Sequence, residues 1–338
     1  MKNRFFPIAI TILLLVAFGI PGSSFAKKDK LMVAYYPGWP CSYQVGEAKG
    51  WFEQELGMKV DFRDFDSPDQ IAMAVVSGDI DIAYSLGIIP FISGLTQGTD
   101  MKLIGIAVSY AANDNCVAKD GSGIISPRDL KGKKIGVPFS SVSHYKLLKT
   151  LEIFGRSKSD VDLYDMSPQD ATAAFMRGDL DCGCGWEPAV SNMLKADGHL
   201  IVSAEDQERW GIKIFDIICA NKDFAKKHPE LITKFLEVTD KSTRFLLNNP
   251  DKGAELIAKV AGIEVEQCKS ILENMIYLQK KDQISQNWLG TTDNPGQLID
   301  FAVGMSDFLK QQGEINKKLD KKEILKYVDQ SFYEAVKE

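Results

Sequence analysis

Two stretches of this chain, 100 residues apart, carry the same physical message. They are "DSPDQIAMAVVSGDIDIAYSLGIIP" (66–90) and "MSPQDATAAFMRGDLDCGCGWEP" (166–188). Ser67-Pro68 matches Ser167-Pro168, and Gly78-Asp79-Ile80-Asp81 matches Gly178-Asp179-Leu180-Asp181. In each copy a serine N-cap and a proline at the first helical position open a short helix. Ile71, Ala74 and Val75 would face inward in the first copy, and Ala171, Ala174 and Phe175 in the second. A glycine then closes the helix in a left-handed cap. A strand follows from the second aspartate and runs to a loop that contains proline. Further strand signals precede the copies, "MKVDFRDF" (58–65) and "SDVDLYDM" (159–166). Strand, helix, strand implies parallel pairing with helices covering the sheet. With only two copies, the pattern is a pair of α/β lobes and not a solenoid.

A length of 338 residues fits about two domains. The first lobe opens at "KLMVAYY" (30–36) and includes "MKLIGIAVSY" (101–110). The second opens near Ser126-Pro127-Arg128-Asp129-Leu130, with "GKKIGVP" as its first strand. "FDIICANKDF" (215–224) is one more strand, and the rest of the chain, including "VEQCKSILENMIYL", reads as helical. So long a helical tail needs a surface, which returns the chain to the first lobe near Asp216. The expected boundaries are residues 27–118 with 216–338 for lobe 1, and 119–215 for lobe 2. Two strands crossing between lobes make a hinge.

Residues 1–26 differ from the rest. Lys2 and Arg4 precede an apolar run from Phe5 to Ile20, and Ser24-Phe25-Ala26 supplies a small-x-small cleavage site. This reads as a secretory signal peptide cut after Ala26, with no cysteine following it for a lipid anchor. The mature chain is expected in a periplasm. Loss of Lys2 and Arg4 takes the net charge from −6 to −8, which argues against a nucleic-acid partner. Six cysteines remain: Cys41, Cys116, Cys182, Cys184, Cys219 and Cys268. The compartment permits disulfides, but the sequence does not choose among the pairings. Cys182-x-Cys184 on one face of a buried strand reads as structural thiols and not as a metal site. No glycine-rich phosphate loop or metal-ligand pattern occurs, so no cofactor is implied.

In open parallel sheets, ligands bind beyond the carboxyl ends of the strands, where loops enter helix N-termini that favour anions. "VPFSSVSHY" (137–145) is such a turn, and Ser140, Ser141 and His144 are its candidate contacts. The facing turn is "AYSLGIIP", with Ser85 and Gly87. Other strand ends bring Tyr36, Trp39, Trp186 and Glu187, and Asp216 stands at the hinge. Rings with carboxylates suit a cationic amine; hydroxyls with helix starts suit an anion. A small zwitterion satisfies both.

"VPFSSVSHYKLLKTLEIFG", "MRGDLDCGCGWEPAVSNMLKADG", "WGIKIFDIICANKDFAKKHPE" and "DFLKQQGEI" resemble the taurine and aliphatic-sulfonate family of periplasmic substrate-binding proteins, with THI5-like and NMT1-like relatives. The resemblance implies a type II periplasmic-binding-protein fold: two doubly wound α/β lobes joined by a two-strand hinge. It places Ser140, Ser141 and His144 by a sulfonate, Trp186 along the cleft wall, and Asp216 on the amine. It implies a monomeric, non-enzymatic binding protein that delivers a small sulfonate such as taurine to an ABC permease. Two departures stand out. Gly87-Ile88-Ile89-Pro90 replaces a "GSSP" pattern, which suggests a more apolar first-lobe wall, and the loop carrying Trp39 and Cys41 lacks an expected carboxylate. A thiamine precursor or nitrate is the alternative ligand. A pyrimidine-synthesis enzyme of the THI5 type, using His144 with Cys184, is the alternative function.

Overall fold

The computed structural model describes residues 29–337, Ala111 excepted, so the leader and its cleavage site lie outside the described residues. Among the described residues eleven strands form two sheets. The first contains β1 (Lys30–Tyr35), β2 (Lys59–Asp64), β3 (Ile82–Gly87), β4 (Met101–Tyr110), β10 (Ile214–Asn221) and β11 (Met275–Ile276). The second contains β5 (Asp114–Lys119), β6 (Lys134–Val137), β7 (Asp162–Asp165), β8 (Cys182–Trp186) and β9 (Gly198–Leu200). Among the described residues no helix is long and apolar enough to cross a membrane.

The two sheets share one plan. In the first, β2, β1 and β3 lie side by side in parallel, followed by antiparallel β10 and then β4. In the second, β7, β6 and β8 lie side by side in parallel, followed by antiparallel β5 and then β9. The antiparallel member of each sheet is the strand that enters it from the other one. Because β5 begins at Asp114, the first crossing falls between Tyr110 and Asp114, ahead of the boundary expected at residue 118. "DNCVAK" is short and opens on Asp-Asn, which hides it as a strand. The tail departs from an all-helical reading too: the helix Val265–Leu272 stops before β11, which adds to the edge of the first sheet beside β4.

The repeat is built as its residues require. Ser67 Oγ accepts the Gln70 amide at 3.4 Å, and Ser167 Oγ accepts the Asp170 amide at 3.1 Å. Pro68 and Pro168 open the helices Pro68–Ser77 and Pro168–Arg177, and Gly78 (φ 84°) and Gly178 (φ 83°) close them in the left-handed region. Ile71, Val75, Ala171 and Phe175 are fully buried. The second aspartate has a part that the sequence alone does not reveal. Asp81 Oδ2 accepts the Met32 amide at 2.8 Å, and the Asp81 carbonyl accepts the Asn221 amide at 2.8 Å. Asp181 Oδ2 accepts the Lys134 amide at 2.9 Å, and its carbonyl accepts the Lys119 amide at 2.9 Å. Each aspartate therefore ties its strand to the lobe's first strand and to the strand arriving from the other sheet.

The larger core lies between the first sheet and the C-terminal helices. The helix Pro229–Asn248 buries Ile232, Phe235, Leu236, Thr239 and Thr243 at helical spacing, and Phe235 stacks on Phe52 at 4.9 Å. The smaller core joins Ile135, Val137, Leu147, Leu151 and Cys182 under the second sheet. Cys116 and Cys184, direct partners across β5 and β8, form a disulfide, while Cys41, Cys182, Cys219 and Cys268 are buried thiols.

Candidate functional site

A cleft of about 320 Å³, open solvent at its mouth included, lies where the two sheets face each other. The enclosed room left in it is about 20 Å³, little more than one water, so the lobes stand nearly closed on each other and part to admit a solute. Tyr36, Trp39, Gly87, Ser141, Trp186 and Asp216, drawn from strand ends, strand-to-helix turns and the hinge, line it, and Pro68, Pro90, Tyr110, Asp114 and Val142 join them.

Three helix starts converge there. Pro68 opens the helix Pro68–Ser77, Gly87 caps Ile88–Thr96, and Ser141 caps Val142–Ile153. The first two rise from the first sheet and the third from the second, so positive dipole ends approach the cleft from both sides. Ser141 is occupied by its own helix: its Oγ accepts the His144 amide at 3.1 Å and donates to the Pro138 carbonyl at 2.6 Å. Among the described residues, the Val142 and Ser143 amides donate to no protein acceptor. The lobes already touch: a Cβ placed on Gly87 would lie 2.9 Å from Val142 Cγ2.

The opposite wall is acidic and aromatic. Asp216 pairs in register with Gly87 across β10 and β3, which sets the carboxylate beside the start of the Ile88–Thr96 helix. Tyr110 OH donates to Asp216 Oδ1 at 2.8 Å, and Ser85 Oγ donates to Oδ2 at 2.7 Å. Trp39 Nε1 in turn donates to Ser85 Oγ at 3.0 Å. Ser85 holds a φ of 66°, uncommon outside glycine, to make that bridge. Burial pushes the Asp216 carboxyl up to about 7; its two hydroxyl donors oppose the rise and the charge of Asp114 adds to it. The Tyr36 and Trp186 rings meet across the cleft at 5.3 Å, and Trp39 sits edge-on to Tyr110 at 5.2 Å.

Four expected contacts stand elsewhere. Ser85 lies behind Asp216 as its support. Ser140 occupies a half-buried turn at φ 57° and does not line the cleft. Glu187 accepts from the Ser191 amide and hydroxyl at 3.0 and 2.9 Å, and so braces the helix Ala189–Lys195 instead of facing the cavity. His144 stacks on Phe139 at 4.8 Å and places Nδ1 3.8 Å from Glu314 Oε2. Burial lowers its pKa. Glu314 also accepts Lys158 Nζ at 2.5 Å, and Phe308 meets Tyr145 at 5.2 Å, so this is a seam between the second sheet's helices and the helix Gln297–Gln311 with its following turn. The sequence spacing could not say that His144, one helical turn past the cap, points to that seam. Ile88 and Ile89 are fully buried in the core and do not line the cleft, so the loss of the "GSSP" hydroxyls alters the packing beneath the helix start and not the wall.

Tyr110 and Asp114 flank the first crossing. Tyr110, the last residue of a strand, obeys the rule that selected Tyr36; Asp114 was invisible while β5 was unrecognised. Asp114 is fully buried. Its Oδ2 accepts Ser143 Oγ at 2.8 Å, and Lys146 Nζ stands 3.9 Å from Oδ1 and donates to the Asp114 carbonyl. Burial raises Asp114 and lowers Lys146, each restrained by the other.

The profile of the NMT1/THI5-like family matches residues 41–253. The chain is 32% identical to the taurine-binding periplasmic protein of Escherichia coli (strain K12), over 80% of this chain and 83% of that one. It is 26% identical to a putative aliphatic sulfonates-binding protein of Bacillus subtilis (strain 168), over 85% and 82%. Among solved structures it superposes on the alkanesulfonate-binding protein SsuA from Xanthomonas axonopodis pv. citri bound to MOPS. The TM-score is 0.74 at 20% identity, covering 90% of this chain and 99% of that chain. The fold is thus that of the periplasmic binding proteins, and the chain belongs to the NMT1/THI5-like family.

Proposed function

We propose that this chain is the exported solute-binding component of an ABC importer, and that its lobes close on a small sulfonate, taurine being the favoured candidate. One observation carries the reading: helix starts from both sheets meet at a cleft whose other wall holds Asp216 and a group of rings. Helix starts hold an anion without a lysine, and Asp216 with Trp39, Tyr36 and Trp186 receives an amine. A ligand gripped by both lobes stabilises the closed form, which a permease then recognises. The names of the E. coli and B. subtilis relatives point to sulfonates, and MOPS in the Xanthomonas protein is itself a sulfonate. The protein acts in the periplasm as a monomer and turns nothing over. The enzyme alternative would use His144 and Cys184, but His144 lies in the seam and Cys184 is bridged to Cys116.

Thermal unfolding of the purified protein with taurine, ethanesulfonate, nitrate and 4-amino-5-hydroxymethyl-2-methylpyrimidine separates the ligand classes. A true ligand at a hundredfold excess over its Kd stabilises by about 2.7 kcal/mol. A shift with nitrate or the pyrimidine, and none with either sulfonate, overturns the assignment.

A further inference from the structure

Asp216 was expected at a bound amine, but it is not the only carboxylate on this cleft: Asp114 lines the same cavity from the second sheet. The two flank the hinge, Asp216 on β10 and Asp114 at the first residue of β5. Each has part of its hydrogen-bonding capacity committed. Tyr110 and Ser85 donate one bond to each oxygen of Asp216. Ser143 takes Asp114 Oδ2, and Oδ1 is buried with no hydrogen-bond donor among the described residues. Lys146 lies close enough to offset the charge of Asp114. With Asp216 ionised, two carboxylates against one lysine carry one uncompensated negative charge, which one ammonium would neutralise. Buried acceptors without donors are costly, and the cost falls when a ligand supplies the N–H groups.

We propose that Asp114 and Asp216 together form a two-acceptor seat for an ammonium that still carries at least two N–H bonds, so that the protein selects primary and secondary aminosulfonates over tertiary and quaternary ones. This rests on the sulfonate reading above and adds to it the number of donors the site demands. A single carboxylate is satisfied by one N–H. Two carboxylates on opposite lobes need two, and a second methyl on nitrogen removes one of them. The ligand then ties the lobes at its cationic end as well as at its anionic end, because Asp114 and Asp216 belong to different sheets.

The test is a calorimetric series on the unaltered protein with taurine and its N-methyl, N,N-dimethyl and N,N,N-trimethyl derivatives. The C-methylated isomer of N-methyltaurine serves as the control for size. The expected result is a loss of tenfold or less at the first methyl, matched by the C-methyl control, and a further loss of thirtyfold or more at the second. Asp114→Asn should abolish the step at the second methyl while leaving the one at the third. A loss that first appears at the third methyl, or falls evenly along the series, overturns the two-acceptor seat even while taurine binds. If no sulfonate binds, the sulfonate reading has failed instead, and the same N-methyl series built on β-alanine tests the seat independently. Failure of both series to bind overturns the seat as well. The wild-type series decides the matter even if Asp114→Asn leaves Lys146 buried and unfolds the chain.

Discussion

Asp216→Asn tests the electrostatics of the cleft most directly, because the buried carboxyl is pushed up to about 7. An aspartate in the unfolded chain titrates near pH 3.9. Between those values the folded protein holds a proton that the unfolded chain has lost, so stability falls as pH rises through that window. Below about pH 3.9 the group contributes no slope because both states are protonated, and above about 7 none because both are ionised. A displacement of roughly three units corresponds to about 4 kcal/mol across the window, or about 6 °C in Tm for a chain of this length. Asparagine keeps the side chain neutral throughout and removes this contribution. Without ligand, the variant should equal the wild type near pH 4 and exceed it by up to that amount at pH 8.5. An ammonium-bearing ligand reverses the preference. It binds the ionised carboxylate, so at pH 6 Asp216 alone should release about 0.9 proton on binding, read as the difference from the variant by calorimetry in buffers of different ionisation enthalpy. The variant should release none from this site and bind taurine about 10- to 150-fold more weakly, the loss of a charged hydrogen-bond partner. Parallel Tm-against-pH curves for the two proteins, with no proton release on binding, would refute a buried and displaced Asp216.

Three further outcomes are expected from the packing. Gly87→Ala keeps an ordinary backbone (φ −60°) but sets a methyl 2.9 Å from Val142 Cγ2 across the lobe contact and 3.3 Å from Pro90 Cδ within its own lobe, so it should weaken binding by about 5- to 150-fold, the overpacking range, and lower the unliganded Tm as well. Ile88→Ser should cost about 2–5 kcal/mol by denaturant unfolding with little change in the order of ligand preference, because Ile88 is buried in the core. Replacing Cys116 and Cys184 together by serine opens a disulfide spanning 68 residues and should lower the stability of the second lobe by about 4 kcal/mol at most, seen as an earlier unfolding transition in urea.

The scaffold was legible because its signals are local. Ser-Pro starts, Gly stops and the paired Gly-Asp-x-Asp motifs act through neighbours a few residues away, and two copies of one pattern imply two copies of one βαβ unit. The strand-end rule brought Tyr36, Trp39 and Trp186 to the cleft, and Gly87 through the facing turn, for the same reason: it needs only the end of each element, whereas Asp216 was placed by the hinge. What escaped depends on contacts distant along the chain. β5 was lost because a short strand among Asn, Asp and Cys declares itself only through pairing with β8, and Asp114 was lost with it. The direction of His144 depends on Glu314, 170 residues away, and that of Glu187 on the helix that comes after it. Ile88 and Ile89 were assigned to the wall because a helix start was read without its rotation; both side chains turn into the core and leave Gly87 and Pro90 at the cavity.

The serine-rich turn before the Val142–Ile153 helix invites the idea that its hydroxyls hold the anion, and the geometry argues for a different division of labour. Ser141 Oγ already accepts from the His144 amide and donates to the Pro138 carbonyl, Ser143 Oγ is given to Asp114, and Ser140 is outside the cleft. The groups left for an anion on this side are the Val142 and Ser143 amides, and Ser141 serves them by fixing the helix start. Substitution separates the two roles. As an N-cap, glycine costs only a few tenths of a kcal/mol, whereas alanine costs about 1. If the hydroxyl acts through the cap, Ser141→Gly should bind ethanesulfonate within about twofold of wild type while Ser141→Ala binds roughly fivefold more weakly. If the hydroxyl itself touches the sulfonate, both variants lose it and weaken alike. Equal losses measured by calorimetry would therefore return the anion to the side chain and remove the backbone amides from the central place given to them.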